Sequence, residues 1–274
     1  MPASLDSIVA ATRQRISGRG TGSVHGSELR VLEDAAAAHM PRGFRRQLRR
    51  VAQGGNGVAV IAELKKASPS KGLIRADFRP SALARDLEQA GAAALSVLTD
   101  EQFFQGSLDY LRQASANSAL PCLRKDFIVD EIQIVEARAN RADAILLIVA
   151  ALDQKELAAL TAAARSHGLD VLCEAHDETE LQRALDAGCD LIGINSRNLQ
   201  TFEVNLETAF RLAEKVPAAC VRVAESGIQS GVDIARLRSA GYEAFLIGER
   251  LMKAENPAEA LADLMEEARI VVGG

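Results

Sequence analysis

From about residue 57 the chain alternates between short, almost uninterrupted apolar runs and longer amphipathic stretches rich in Ala, Leu, Glu and Arg. The short runs read as strands: VAVIAEL from Val58, AALSVL from Ala93, LPCLRK from Leu120, DAILLIV from Asp143, DVLCEA from Asp170, DLIGIN from Asp190, VRVAES from Val221 and EAFLIG from Glu243. Helix-compatible stretches follow each strand, at 80–90, 107–117, 130–140, 153–167, 177–187, 206–215, 230–240 and 257–270. Gly91, Gly168, Gly188 and Gly241 stand where four of these helices should stop. Runs such as AILLIV are apolar on both faces, which suits a parallel sheet covered on both sides and joined by right-handed crossovers. Eight such units in about 200 residues predict an α/β protein whose single structural domain is a closed (β/α)8 barrel over residues 58–274. No GxGxxG follows the first strand, which argues against an open dinucleotide-binding sheet.

The first 57 residues read as a helical extension packed on the barrel. Leu5, Ile8, Val9 and Ile16 have helical spacing after Ser4, a fitting N-cap. A second helix covers RGFRRQLRR, with Arg42, Arg45, Arg46, Arg49 and Arg50 opposite Phe44, Leu48 and Val51. That basic face reads first as the solvated side of a packed helix. Steering of an anionic substrate and nucleic-acid binding are the alternatives.

Composition narrows the class. With 274 residues, 48% hydrophobic and 25% charged, the chain can build a large core, which excludes disorder. A net charge of −5 offers no general attraction for nucleic acid, and the longest apolar run, 144–152, is far short of the roughly 18 residues of a membrane span. The amino terminus lacks a basic cap, an apolar core and a cleavage site, so a cytoplasmic location is expected. Cys122, Cys173, Cys189 and Cys220 are scattered singly in or beside apolar runs. They read as buried hydrophobes in a reducing compartment, with neither a disulfide framework nor a zinc site. His25, His39, His167 and His176 suggest surface or local hydrogen-bonding roles, and no metal is expected.

Reactive groups of a parallel barrel sit where strands end. The first strand ends in Glu63-Leu64-Lys65, whose charged side chains share a face while Leu64 turns to the helices. The third ends at Lys125, the fifth at Glu174, the sixth at Asn195 and the seventh at Glu225-Ser226. Gathering these charges at one mouth is costly unless they neutralise one another, and it shifts their proton affinities: poor solvation makes a lysine more acidic, carboxylate neighbours make a carboxyl more basic. Acid–base chemistry is the natural use. Gly227 after the seventh strand and Gly248 after the eighth allow a close approach of backbone N–H groups, as a phosphate requires. The loop KKASPSKGLIR reads as a lid over the substrate.

The segments IAELKKASPSKG, SVLTDEQFFQGS, LRKDFIVDEIQI, LLIVAAL, IGINSRNLQTFEV and VAESGI, in this order, closely resemble the indole-3-glycerol phosphate synthase family of tryptophan biosynthesis, from about Val58 to Met252. The resemblance implies a cofactor-free carboxy-lyase that closes the indole ring of a carboxyphenylamino-deoxyribulose phosphate with loss of carbon dioxide and water. It assigns Lys125 as the acid for the ketone oxygen, Glu174 as its orienting or reprotonating partner, and Lys65 with Glu63 as the acid and base of dehydration. Asn195, Arg197, Glu225, Ser226 and Ser70 are expected to hold the substrate, and Gly227, Gly248, Glu249 and Lys65 its phosphate. The division of proton steps among the glutamates stays open. Glu249 stands where some relatives carry serine; it is expected to give its backbone N–H and turn its carboxylate away from the anion. The only partner expected besides the phosphorylated small molecule is, at most, a second copy in a weak homodimer. The rivals are another phosphate-binding barrel, such as an isomerase or a Schiff-base aldolase, and a non-catalytic nucleic-acid binder using the arginine face.

Overall fold

The structure is a computed structural model and describes residues 4–18, 26–54, 57–198 and 201–273. Eight parallel strands close into one barrel: β1 (Ala59–Leu64), β2 (Ala94–Leu98), β3 (Cys122–Lys125), β4 (Ala144–Ile148), β5 (Asp170–Ala175), β6 (Leu191–Asn195), β7 (Val221–Glu225) and β8 (Ala244–Ile247). Neighbours in sequence are neighbours in space, and β1 closes the ring by pairing Ala59 with Ala244 of β8 and Ile61 with Ala94 of β2. The expected (β/α)8 architecture is therefore present.

The outer helices fall within a few residues of the periodic stretches, from Pro80–Gln89 to Pro257–Gly273. Their starts are capped by side chains: Asp130, Asp153, Asp177 and Ser230 each accept from a backbone N–H of the first turn. Four of them stop at the glycines noted in the sequence, which take left-handed φ values of +96°, +69°, +80° and +96° at Gly91, Gly168, Gly188 and Gly241.

Two apolar layers result from the alternation of side chains along each strand. Val60, Ala62 and Leu64 of β1 face the helices, whereas Ala59 and Ile61 point into the barrel with Leu123, Leu146, Leu172, Leu191, Val223 and Leu246. The helix Phe44–Ala52 plugs the amino-terminal end of that interior with Phe44 and Leu48, both fully buried.

The arginines beside this plug are not a free solvated face, as the sequence alone suggested. Arg42 makes a two-pronged contact with the buried Asp143 at the entrance to β4, Arg45 donates its backbone N–H to Asp170 and pairs with Asp190 at 3.2 Å, and Arg49 reaches Glu243 at 3.5 Å. Each acid precedes or begins a strand, so three arginines fasten the floor to four strands. Arg46 and Arg50 alone remain outward, bonded to Arg42 and Gln47.

Three further features depart from expectation. The helix Gly26–Ala38 was not foreseen; it packs on the helix Glu131–Ala139. The lid segment carries a small hairpin, Ala67–Ser68 against Gly72–Leu73. Cys173 and Cys189 are joined as a disulfide, against the reading of four free thiols, because the turn after the helix Glu178–Asp186 returns Cys189 beside β5; Cys122 and Cys220 are free and buried. Among the described residues no helix is long and apolar enough to cross a membrane. His25 lies outside the described residues.

Candidate active site

Strand ends at the carboxyl rim deliver Glu63, Lys65, Lys125, Glu174, Asn195, Arg197, Glu225, Ser226, Gly227, Gly248 and Glu249 to one cavity, and the lid adds Ser70. Every site residue expected from the sequence therefore lines a single mouth. Leu64, between the first two, is buried on the opposite side of β1.

Two lysine–carboxylate groups occupy the floor of the cavity. Lys125 Nζ donates to Glu174 Oε2 at 2.9 Å and to Glu225 Oε2 at 2.8 Å. Lys65 Nζ donates to Glu63 Oε1 at 2.6 Å. Asn195 Nδ2 donates to the other Glu174 oxygen at 3.1 Å, and Asn195 Oδ1 accepts the Arg197 N–H. All three glutamates are almost completely buried, so these contacts are their main compensation for lost hydration.

The proton affinities follow from that crowding, and for the lysine the sign is opposite to the sequence-based expectation. Burial alone lowers the Lys125 ammonium, but Glu174, Glu225 and Glu63 together outweigh it and hold it above an ordinary lysine. Glu174 is pushed up by burial, yet Lys125, His176 and Asn195 overcome this and keep it well below the usual carboxylate range. Glu225 goes the other way: burial and the nearby Glu174 charge outweigh Lys125 and push it up to about 7. One carboxylate is thus firmly ionised while its neighbour titrates near neutrality.

His176 was expected to serve a local hydrogen bond, and it does more. Its Nδ1 lies 2.9 Å from Glu180 and its Nε2 lies 3.4 Å from Glu174 Oε1. Burial lowers its affinity for a proton, but the two acids raise it to about 10, so Glu174 is bracketed by two cations. The signal in the sequence was the EAHDETE stretch, which places an acid two residues before and four residues after the imidazole.

The lining also includes apolar side chains, among them Ile8, Phe104, Phe127, Leu146, Ile148 and Phe202. Ile8 belongs to the helix Leu5–Gly18, which roofs the mouth and is tied to the barrel by an Arg13–Glu156 pair at 2.9 Å. That helix was expected to dock, but nothing in its sequence indicated where. The lid is anchored by Arg75, which donates to the carbonyls of Met252 and Ala254.

Next to Glu225, Ser226 and Gly227 take consecutive left-handed conformations, φ +64° and +82°, immediately after β7. Such a backbone is strained for serine and turns successive N–H groups the same way. Glu249 begins the short helix after Gly248; its carboxylate is held by Lys253 at 2.6 Å on its own helix and lies 3.7 Å from Arg197.

A closed parallel barrel with paired cations and carboxylates sunk in its carboxyl-terminal mouth defines an acid–base enzyme of the (β/α)8 class. The family model described as indole-3-glycerol phosphate synthase matches residues 5–264. A protein of that name from Koribacter versatilis is 57% identical over 97% of this chain and 100% of its own length, and one from a Polaromonas species is 52% identical over 95% and 97%. A solved 3-hexulose-6-phosphate synthase superposes with a TM-score of 0.61 at 15% identity, covering 76% of this chain and 99% of that one, a likeness of fold. The chain belongs to the indole-3-glycerol phosphate synthase family.

Proposed function

We propose that the chain converts 1-(2-carboxyphenylamino)-1-deoxyribulose 5-phosphate into indole-3-glycerol phosphate, carbon dioxide and water. The observation that carries this reading is the joining of two lysine–carboxylate groups to apolar side chains in one mouth. Ring closure needs two proton donations to oxygen, one at the ketone and one at the departing hydroxyl, and two ammonium groups supply them.

The aromatic ring lies against Phe104, Phe127 and Ile148, with its carboxylate toward Arg197, whose planar fork suits that group. The ring carbon bearing the carboxylate attacks the ketone carbon, forming the carbon–carbon bond as the carbonyl electron pair moves onto oxygen. Lys125 donates its proton to that oxygen. Glu174, kept ionised, holds the lysine in place, and a proton from solvent restores the ammonium form after each turnover, matching the one proton that replacement of the carboxylate consumes. Loss of carbon dioxide then returns its bonding pair to the ring and restores aromaticity.

Dehydration uses the second group. Lys65 protonates the new hydroxyl as the nitrogen lone pair expels it as water, and Glu63 removes the proton from the adjacent carbon to complete the pyrrole ring. Their contact at 2.6 Å lets the proton gained by Glu63 return to Lys65. Asn195, Ser226, Glu225 and Ser70 face the ribulose hydroxyls. The phosphate rests on the backbone of Gly227, Gly248 and Glu249, with Lys65 adding charge. The carboxylate of Glu249 stays with Lys253, which keeps its repulsion off the anion.

The test is direct: purified protein mixed with the anthranilate-derived deoxyribulose phosphate should generate indole fluorescence and one equivalent of carbon dioxide without added metal. Absence of both products, with the substrate recovered, rejects the reading. Sedimentation of the same sample would distinguish the expected monomer from a weak dimer.

A further inference from the structure

Interior layers of a parallel barrel are ordinarily filled by bulky branched side chains. The inward positions of β6 are Leu191, Gly193 and Asn195, so the second of them places no side chain in the interior. Gly193 lies beside Glu174 in the register of β5 and beside Val223 in that of β7, one inward step below Glu225.

The space left there is occupied by the Glu225 side chain. A Cβ added at Gly193 would stand 2.0 Å from Glu225 Oε1 and 3.2 Å from both Glu225 Cδ and Leu172 Cδ1. Glu225 Oε1 is fully buried and accepts no hydrogen bond, so this end of the side chain is bounded by its packing against β6 and by the neighbouring Glu174 carboxylate. Its other oxygen holds Lys125 at 2.8 Å. The φ of Gly193 is not left-handed, so its backbone conformation does not call for glycine; the requirement is one of space alone. The same device recurs at Gly248, where a Cβ would meet Glu63 Oε1 at 2.2 Å. Each lysine–carboxylate group thus has a carboxylate resting on a glycine, one within β6 and one just after β8.

We propose that Gly193 is a positioning residue: the side chain it lacks is the space in which the Glu225 carboxylate lies, and this space sets where Glu225 meets Lys125. The inference rests on the acid–base reading of Lys125 given above. A methyl group at residue 193 meets first the end of a flexible side chain, so the barrel should still fold while Glu225 is pushed into the cavity. Displacement by about 1 Å of a group that orients the acid costs about 100-fold in turnover.

The experiment compares the wild type with Gly193→Ala, Glu225→Asp and the double variant, reading kcat, KM, the pH profile and thermal unfolding. Gly193→Ala should fold, lose about 100-fold in kcat with a smaller rise in KM, and shift the limb of the pH profile that reports the Lys125 cluster. Glu225→Asp shortens the acid by one methylene and makes room for the methyl group, so the double variant should recover at least tenfold over Gly193→Ala. The proposal is overturned if Gly193→Ala keeps kcat within threefold, or if the two losses simply multiply. Should Gly193→Ala fail to fold, a folded double variant supports the proposal and an unfolded one overturns it. The wild type in the same assay reports on the reaction itself, so failure there is separable from failure of the Gly193 assignment.

Discussion

Lys125 Nζ lies 2.9 Å from Glu174 Oε2, and the two groups move each other's proton affinities in opposite directions, the lysine up and the glutamate down. An ammonium secured in this way is an acid and a hydrogen-bond donor, not a free amine. Lys125→Met should reduce turnover by at least about 10³-fold while a product analogue still binds with nearly normal affinity. Equal loss of binding and turnover would make Lys125 a binding or folding residue. Borohydride added during turnover should leave the protein mass unchanged; a reduced adduct on Lys125 would restore the aldolase rival.

Arg42 contributes to the floor, far from the chemistry. Its guanidinium holds both oxygens of the buried Asp143, which also accepts the backbone N–H of Cys122. Arg42→Ala leaves that buried carboxylate the His39 ring, 3.3 Å away, and the Cys122 N–H but takes away the guanidinium, and should cost about 3 kcal/mol in urea unfolding, with kcat at 25 °C within twofold of the wild type. A loss below about 0.5 kcal/mol, the range of ordinary surface changes, would show the pair to be incidental.

His176 gives a pH signature. Its folded-state affinity, raised to about 10 by Glu174 and Glu180 against burial, exceeds the roughly 6.5 of an unfolded chain. The stability it contributes is complete below the unfolded value and disappears as pH rises through the folded one. The unfolding free-energy difference between wild type and His176→Gln should therefore shrink steadily from about pH 6.5 to 10. A difference that stays flat or grows over this interval would mean that the imidazole is neutral in the folded protein.

The Cys173–Cys189 link closes a span of 16 residues around one helix. Chain-entropy arguments assign such a loop about 3 kcal/mol. Thiol titration in denaturant without reductant should count two groups, Cys122 and Cys220, and four after reduction, with a lower unfolding midpoint. Four thiols before reduction would remove the link.

The barrel was legible because its strands are apolar on both faces and its helices end at glycines, signals that act over a few residues. The charged rim was legible for the same reason: Glu63, Lys65, Lys125, Glu174 and Asn195 terminate runs that are otherwise apolar. What escaped depended on residues distant in sequence. The basic face of 42–50 could not be matched with Asp143, Asp170, Asp190 and Glu243 before the ring was closed. The helix Gly26–Ala38 escaped because its contact face includes Ala36, too small to stand out as a hydrophobic stripe. Gly193 reads in the sequence as an ordinary strand glycine, since the carboxylate it accommodates comes from the next strand.

The segment before β1 touches both ends of the molecule. Its first helix lies across the mouth through Ile8, and its last, 44–52, seals the base through Phe44 and Leu48. Shortening the chain from its beginning would therefore strip the enzyme in a fixed sequence, first of its canopy with Leu5 and Ile8 of the apolar lining, and only later of its keel. A clipped form lacking residues 4–18 should survive as a sound but catalytically poor barrel, whereas one cut past Leu48 should lose the barrel itself.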